Sequence, residues 1–203
     1  MAKAVRLFVA IELPDEARLA ITGEQTRIRR RLEGSKQSSI KWVTPDHLHL
    51  TLAFLGYVAN ERLETVVESM RQPLDAESFS LEFGGLGVFP PRGDPRVLWI
   101  GVKDGAEEVV ALQRLVADRL ARLELTLEER AFHPHLTLAR WRSGGRSDRE
   151  RVREQETAQR LVRIDVSDVT LMESRLSPAG STYIALCHSR LREPAVPPLQ
   201  STS

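Results

Sequence analysis

Apolar residues follow two different periods along the chain, so the sequence predicts both strands and helices. Residues 6–13 are almost continuously apolar, which is typical of a buried strand. Residues 14–32 begin with a proline and two acidic residues, as helices often do, and are predicted to be helical. Residues 104–120 repeat apolar side chains at the spacing of one helix face, which predicts a further helix beginning at Asp104.

Further strands are predicted where short apolar runs lie between Gly and Pro residues. They cover residues 40–43, 48–55, 79–83, 96–102, 132–139, 162–169 and 183–186. Gly56 is expected to end the second of these, Asn60 to cap a helix over residues 61–71, and the charged segment 143–160 to lead into an exposed helix. Because several neighbouring strands are joined too tightly for parallel crossovers, we predict an α+β fold with mainly antiparallel sheets.

A seven-residue segment occurs twice. Residues 47–53 read His-Leu-His-Leu-Thr-Leu-Ala and residues 133–139 read His-Pro-His-Leu-Thr-Leu-Ala, so six of seven positions match at an offset of 86 residues. An internal duplication explains this match better than coincidence does. We therefore predict a single bilobal, duplicated domain over residues 1–192, with its two halves facing a central cleft, and a disordered tail over residues 193–203.

The repeat carries a candidate catalytic site formed by His49, Thr51, His135 and Thr137. Because side chains alternate between the two faces of a strand, each His shares a face with its Thr, and the intervening leucines face a core. At neutral pH one imidazole can act as a base and the other as an acid, which is what opening a phosphodiester requires. The Thr hydroxyls can donate hydrogen bonds to the phosphate oxygens. The residues alone do not say which His is the acid.

Composition excludes several other classes of protein. The chain has 203 residues, with 29 basic and 28 acidic side chains, and this balance argues against a protein that coats long nucleic acid. The single cysteine, Cys187, excludes an intramolecular disulfide framework. No apolar run approaches the length of a membrane span. We expect a cytoplasmic monomer that has no contact with membranes and requires no cofactor.

The doubled His-x-Thr pattern resembles that of the 2H phosphoesterase superfamily, and within it the chain is similar to the RNA 2′,3′-cyclic phosphodiesterases, historically called 2′-5′ RNA ligases. The similarity extends to Arg6-Leu7-Phe8-Val9-Ala10, Trp42-Val43, Phe54-Leu55-Gly56 and Arg140. The resemblance implies a bilobal α+β fold and hydrolysis of a terminal 2′,3′-cyclic phosphate to a 2′-phosphate. It implies that His135 activates the water and His49 protonates the departing 3′ oxygen. It also implies that some members join RNA halves through a 2′-5′ linkage, so the expected partners are RNA ends or nucleotides with a cyclic phosphate, tRNA fragments included.

Three more residues are candidates for substrate binding. Arg140 is expected to contact phosphate or the RNA backbone, mainly from the resemblance. Since it directly follows Ala139 on the strand, it reaches the site only if the strand end twists or bulges. Phe8 and Tyr183 could stack on a base or simply pack in the core. The Arg-rich segment 140–153 fits RNA binding and a solvated face equally well.

Two alternative functions stay open. His47 and His133 should lie on the same faces as His49 and His135, which raises the possibility of a metal site with four histidine ligands. The carboxylates near the motifs, Asp46 and the pair at residues 128–129, are poorly placed to support such a site, so we predict no metal. The other alternative is a non-catalytic module that binds a nucleotide or an RNA end.

Overall fold

Strands and helices alternate along the chain and form two antiparallel sheets. The computed structural model describes residues 4–32, 39–125, 127, 131–154, 160–177 and 180–194. A single 3-10 turn, Pro45–His47, precedes the first motif. In chain order, the described elements are β1 (Ala4–Glu12), α1 (Asp15–Leu32), β2 (Ser39–Trp42), β3 (His49–Ala59), α2 (Asn60–Arg71), β4 (Phe79–Phe89), β5 (Val97–Asp104), α3 (Ala106–Ala121), β6 (His135–Ser143), α4 (Arg146–Arg153), β7 (Val162–Val166), β8 (Asp168–Ser177) and β9 (Gly180–Arg190).

The two motif strands lie in different sheets. The first sheet has the strand order β3-β1-β8-β9 and the second has the order β2-β6-β5-β4-β7. All neighbouring strands are antiparallel, and the sheets contact each other where β3 approaches β6. The prediction of an α+β fold with mainly antiparallel sheets is confirmed. The predicted tail lies outside the described residues from position 195 onward.

Each motif strand pairs with the strand that precedes it across one helix. The first unit is β1-α1-β3 and the second is β5-α3-β6. Each helix packs on the sheet of the other unit, since α1 contacts β7 and α3 contacts β3. The two matching units fit the predicted duplication, which stays a prediction. Because the helices are exchanged in this way, the two sheets share one continuous core.

The apolar face of each motif strand is the face that the alternation predicted. Leu50, Leu52, Leu136 and Leu138 are buried in this core, whereas the intervening His and Thr side chains are partly exposed. Burying four leucines stabilises the fold by roughly 1.5–3 kcal/mol for each side chain. The same leucines thereby hold the polar residues of both motifs on the opposite faces of their strands.

One extra residue follows the threonine in each motif strand. Leu52 has no counterpart in β1, where Val9 and Ala10 pair with the residues on either side of it. Leu138 in the same way has no counterpart in β5. A bulge of this kind reverses the alternation of side chains, so Phe54 and Arg140 return to the faces that carry the motifs. Both are exposed, and the second bulge meets the condition on which the prediction for Arg140 depended.

Several predicted boundaries are wrong for local reasons. Gly56 was expected to end β3, but the strand continues to Ala59. The φ of 67° at Gly56 accommodates a further irregularity in the pairing of β3 with β1. Asn60 is the first residue of α2 and not its cap. Asp104 belongs to β5, and Gly105, with a φ of 78°, precedes α3.

Two other segments also differ from the prediction. Residues 162–169 were predicted to form one strand, but they form parts of β7 and β8, and the chain passes from the second sheet to the first at Ser167. The second motif strand begins at His135, so residues 132–134 are not part of it. Within the described residues, no helix has both the length and the apolar character needed to cross a membrane.

Helix α4 is exposed on only one side, whereas its charge predicted an exposed helix. Asp148, Arg149 and Val152 are buried. The Arg149 guanidinium donates hydrogen bonds to the carbonyl oxygens of Pro90, Pro91 and Gly93 at 2.6–3.2 Å. At least one arginine of the Arg-rich segment therefore stabilises a loop instead of presenting its charge to a ligand.

Gln25 is expected to stabilise the bulge in β6. It is buried on α1, and its Nε2 donates hydrogen bonds to the carbonyl oxygens of Val43 and Leu138 at 3.0 and 2.9 Å. Replacing Gln25 with Met keeps the length but removes both donors, which should lower the free energy of unfolding by about 1–3 kcal/mol. Urea denaturation measures this change. The neighbouring exposed variant Thr26→Ala should change stability by less than about 0.5 kcal/mol, and equal effects of both variants would contradict the role of Gln25.

Candidate active site

The backbone holds His49 and His135 in the same orientation. Nδ1 of His49 lies 2.8 Å from the carbonyl oxygen of His47, and Nδ1 of His135 lies 2.7 Å from the carbonyl oxygen of His133. Because a carbonyl oxygen only accepts hydrogen bonds, Nδ1 must carry a proton in both rings. Nε2 of each ring is therefore the nitrogen that can take up or release a proton in a reaction.

Arg140 links the two motifs electrostatically. Burial is the main cause that lowers the pKa of His49 to about 4, and burial also lowers the pKa of His135 below its ordinary value of 6.5. The hydrogen bonds from the two Nδ1 atoms act in the opposite direction. Arg140 lowers the pKa of both rings, so both lie within electrostatic reach of one guanidinium. The lowered pKa of each imidazole favours its neutral form at pH 7.

The two threonines lie beside the histidines on the same strand faces. Thr51 pairs with Ala10 on β1, and Thr137 pairs with Trp99 on β5. Both threonines are partly exposed. Since β3 and β6 contact each other where the sheets meet, the fold places two imidazoles and two hydroxyls on adjoining strands.

Aromatic rings surround His49 on the first sheet. The ring of Phe8 lies 4.9 Å from those of His49 and Tyr183, and the ring of Tyr183 lies 5.4 Å from that of His49. Phe8 belongs to a small apolar cluster separate from the main core and is only 3% exposed. It therefore supports the rings of His49 and Tyr183 instead of offering a free face of its own. Tyr183 is partly exposed.

Phe54 lies next to Phe8 at the candidate site and was not among the site residues predicted from the sequence. It is 38% exposed, and its ring lies 6.1 Å from that of Phe8. The repeat in the sequence could have identified Phe54, because it follows His49 at the same sequence spacing at which Arg140 follows His135. We call Phe8, Phe54 and Tyr183 the first aromatic wall.

His47 and His133 do not join the other two histidines in a metal site. The ring of His47 lies 4.5 Å from that of Tyr183, and the ring of His133 lies 5.1 Å from that of Trp99. Among the residues that the structure describes, no group of three or more His, Cys, Asp and Glu side chains is arranged to hold a metal ion. Residues 128–129, considered above as supporting carboxylates, lie outside the described ranges.

The two antiparallel sheets and the paired His-x-Thr motifs define a phosphoesterase of the 2H type. The chain belongs to the 2′-5′ RNA ligase superfamily, whose family model matches residues 15–177. The resemblance stated from the motifs is thereby confirmed.

Relatives with a named activity cover most of the chain. A protein of Archaeoglobus fulgidus named RNA 2′,3′-cyclic phosphodiesterase is 34% identical over 179 residues, which cover 88% of this chain and 96% of the relative. A protein of Escherichia coli with the same name is 34% identical over 143 residues, which cover 69% of this chain and 74% of the relative.

Solved structures share the fold. Protein TT0787 of Thermus thermophilus superposes with a TM-score of 0.75 and 28% identity, over 93% of this chain and 98% of that protein. Escherichia coli LigT in its apo form superposes with a TM-score of 0.72 and 26% identity, over 95% of this chain and all of that protein. These structures confirm the predicted fold class.

The low pKa of His49 predicts that the protein loses stability in acid. Between pH 6.5 and about pH 4, an unfolded His binds a proton that the folded protein excludes, so the free energy of unfolding falls as the pH falls. Replacing His49 with Asn should remove up to about 3 kcal/mol of this loss at pH 4. Urea denaturation from pH 7 to about pH 4 measures it. The exposed variant Leu19→Gln should keep the wild-type dependence, and an unchanged dependence in His49→Asn would contradict the prediction.

Proposed function

We propose that this protein hydrolyses the terminal 2′,3′-cyclic phosphate of RNA or of a nucleotide to a 2′-phosphate, with His49 and His135 as the acid–base pair and no metal ion. The observation that supports the proposal is the contact between β3, which carries His49, and β6, which carries His135. Arg140 is exposed on β6 and lowers the pKa of both imidazoles, so its charge is close to each. The enzyme class, RNA 2′,3′-cyclic phosphodiesterase, is confirmed by the relatives that carry this name.

The strand of His49 carries Phe54, whereas the strand of His135 carries Arg140 at the matching position. This difference supports distinct roles for the two histidines. The first aromatic wall beside His49 suits the base of the terminal nucleotide, whose sugar carries the departing 3′ oxygen. Arg140, on the strand of His135, suits the phosphate. His49 is then the acid at the sugar, and His135 is the base that faces the attacking water. This assignment agrees with the one implied by the resemblance.

In the proposed reaction, the water oxygen attacks phosphorus and the bond between phosphorus and O3′ breaks. His135 Nε2 takes the proton of the water, and His49 Nε2 gives a proton to O3′. The hydroxyls of Thr51 and Thr137 donate hydrogen bonds to the non-bridging oxygens, whose charge rises in the transition state. His49 needs a second proton for this role, and the bound phosphate anion favours it by raising the pKa of the ring.

The same site is proposed to catalyse 2′-5′ ligation. An RNA 5′-hydroxyl in the place of water would yield a 2′-5′ phosphodiester with the same two proton transfers. The family match to the 2′-5′ RNA ligase superfamily favours this second reaction. A purely binding module is less well supported, because binding requires neither Nε2 to be available for proton transfer. The monomeric state and tRNA fragments as substrates stay predictions.

Loss of either catalytic imidazole should abolish most activity. With adenosine 2′,3′-cyclic phosphate in EDTA, His49→Gln and His135→Gln should each lower kcat by about 10²–10⁴-fold, and the wild-type product should be the 2′-phosphate. His47→Gln is the matched control, because it keeps the carbonyl that orients His49 and should cost less than about tenfold. Near-normal activity in both catalytic variants, or wild-type activity that requires a metal, would overturn the proposal.

Phe54 and Arg140 should affect different kinetic constants. Phe54→Leu should raise KM for adenosine 2′,3′-cyclic phosphate by about 5- to 100-fold, because a stacked base contributes roughly 1–3 kcal/mol. Arg140→Gln should lower kcat by about tenfold or more, with partial recovery in Arg140→Lys. Steady-state kinetics measure both changes. A base-free ribose 2′,3′-cyclic phosphate is the control, and a Phe54 effect that persists with it would contradict stacking.

A further inference from the structure

The second sheet presents an aromatic surface beside His135 that hydrolysis does not require. The rings of Phe89 and Trp99 lie 5.0 Å apart, and the ring of His133 lies 5.6 Å from Phe89 and 5.1 Å from Trp99. Phe89 and Trp99 are partly exposed and His133 is exposed. Neither Phe89 nor Trp99 belongs to the hydrophobic core that the described residues form. We call these three residues the second aromatic wall.

A glycine allows the indole of Trp99 to lie flat on the sheet. A Cβ atom at Gly87 would lie 2.0 Å from Cζ2 of Trp99, which is far inside van der Waals contact. Gly101 is also close, since a Cβ atom there would lie 3.3 Å from Cζ3 of the same ring. One face of the indole therefore rests on backbone, and the residue is partly exposed. Glycine at both positions leaves room for this ring.

The polar atom of Trp99 also distinguishes it from a core residue. Nε1 is buried and has no hydrogen-bond acceptor among the residues that the structure describes. A buried donor without an acceptor costs about 1–3 kcal/mol, and native structures keep such groups mainly where function requires them. An unsatisfied donor in a ring outside the hydrophobic core is consistent with a role other than packing.

The second aromatic wall lies next to His135, the residue that the proposed function assigns to the attacking group. The ring of Phe89 is 5.1 Å and that of Trp99 is 6.2 Å from the ring of His135, which takes the proton of the attacking oxygen in the proposed function. The base of the terminal nucleotide is assigned to the first aromatic wall, next to His49. A nucleoside on the second aromatic wall would therefore be the one that supplies the attacking oxygen.

We propose that Phe89, Trp99 and His133 bind the nucleobase at the 5′ end of an incoming RNA and place its 5′-hydroxyl next to His135. This inference rests on the proposed function and adds the binding site for the second RNA. O5′ attacks phosphorus while the bond to O3′ breaks. His135 takes the proton of O5′ and His49 protonates O3′, which leaves a 2′-5′ diester. In the reverse direction, the 3′-hydroxyl attacks and the nucleoside leaves through O5′.

The reverse reaction gives the sharpest test, because its substrate occupies both walls. The measured quantity is the ratio of kcat/KM for cleavage of adenylyl-(2′-5′)-adenosine to kcat/KM for hydrolysis of adenosine 2′,3′-cyclic phosphate. Trp99→Leu and Gly87→Ala should each lower this ratio by about tenfold or more, since one removes the ring and the other displaces it. Gly23→Ala is the matched control, because a Cβ atom there has no neighbour within 4 Å.

Two kinetic outcomes would overturn the inference and leave the proposed function standing. The first is a wild-type protein that hydrolyses the cyclic nucleotide but does not cleave the dinucleotide. The second is an equal loss of both activities in the Trp99 and Gly87 variants, which would mean that the second aromatic wall only supports His135.

A binding measurement tests the site independently of turnover. With the first aromatic wall saturated by adenosine 2′-phosphate, added adenosine should quench tryptophan fluorescence in the wild type. The quenching should disappear in Trp99→Phe, because Trp42 and Trp141 remain in that variant but lie outside the second aromatic wall. Quenching that is absent from the wild type, or unchanged in Trp99→Phe, would overturn the inference. Absence of hydrolysis together with Trp99-dependent quenching would instead count against the proposed function alone.

Discussion

The site depends on one extra residue in each motif strand. Without the bulges at Leu52 and Leu138, the regular alternation of a strand would point Phe54 and Arg140 away from the histidines. Both bulge residues are buried leucines, so the hydrophobic core holds the irregularity in place. At Leu138 the backbone is also fixed by polar contacts, since its carbonyl oxygen accepts hydrogen bonds from the Val43 amide and from Gln25. The position of Arg140 therefore depends on packing that lies behind the strand.

The repeated backbone orients the two catalytic histidines in the same way, but the residues around them differ. Both imidazoles carry the Nδ1 proton for the same reason, and burial lowers the pKa of both. In the proposed mechanism, the residues around the two rings distinguish the acid from the base. The first difference is that β3 carries Phe54 where β6 carries Arg140. The second is that Thr51 pairs with Ala10, whereas Thr137 pairs with Trp99. A symmetric pair of motifs thus forms a cleft with two unlike sides.

The sequence was sufficient to predict the motif strands, the faces of their side chains and the fold class, because these depend on local periodicity. It did not reveal contacts between distant residues. The role of Gln25 depends on a carbonyl 113 positions away, and Arg149 is buried because it bonds to a loop 56–59 positions away. The segment 162–169 has no internal signal for a change of sheet at Ser167. Bulges are equally hard to predict, although the repeat itself placed Phe54 and Arg140 at matching positions.

The low pKa values couple the protonation of the site to its occupancy. In the free protein, burial, and to a smaller extent the Arg140 charge, lower the pKa of both imidazoles and so favour their neutral forms at pH 7. In the proposed complex, a phosphate anion would offset the Arg140 charge and stabilise an imidazolium, because charges interact more strongly in low-dielectric surroundings than in water. In the proposed mechanism, burial and the Arg140 charge together disfavour an imidazolium in the free protein, and the phosphate that Arg140 attracts favours it. The general acid of the proposed reaction is therefore formed when the substrate binds.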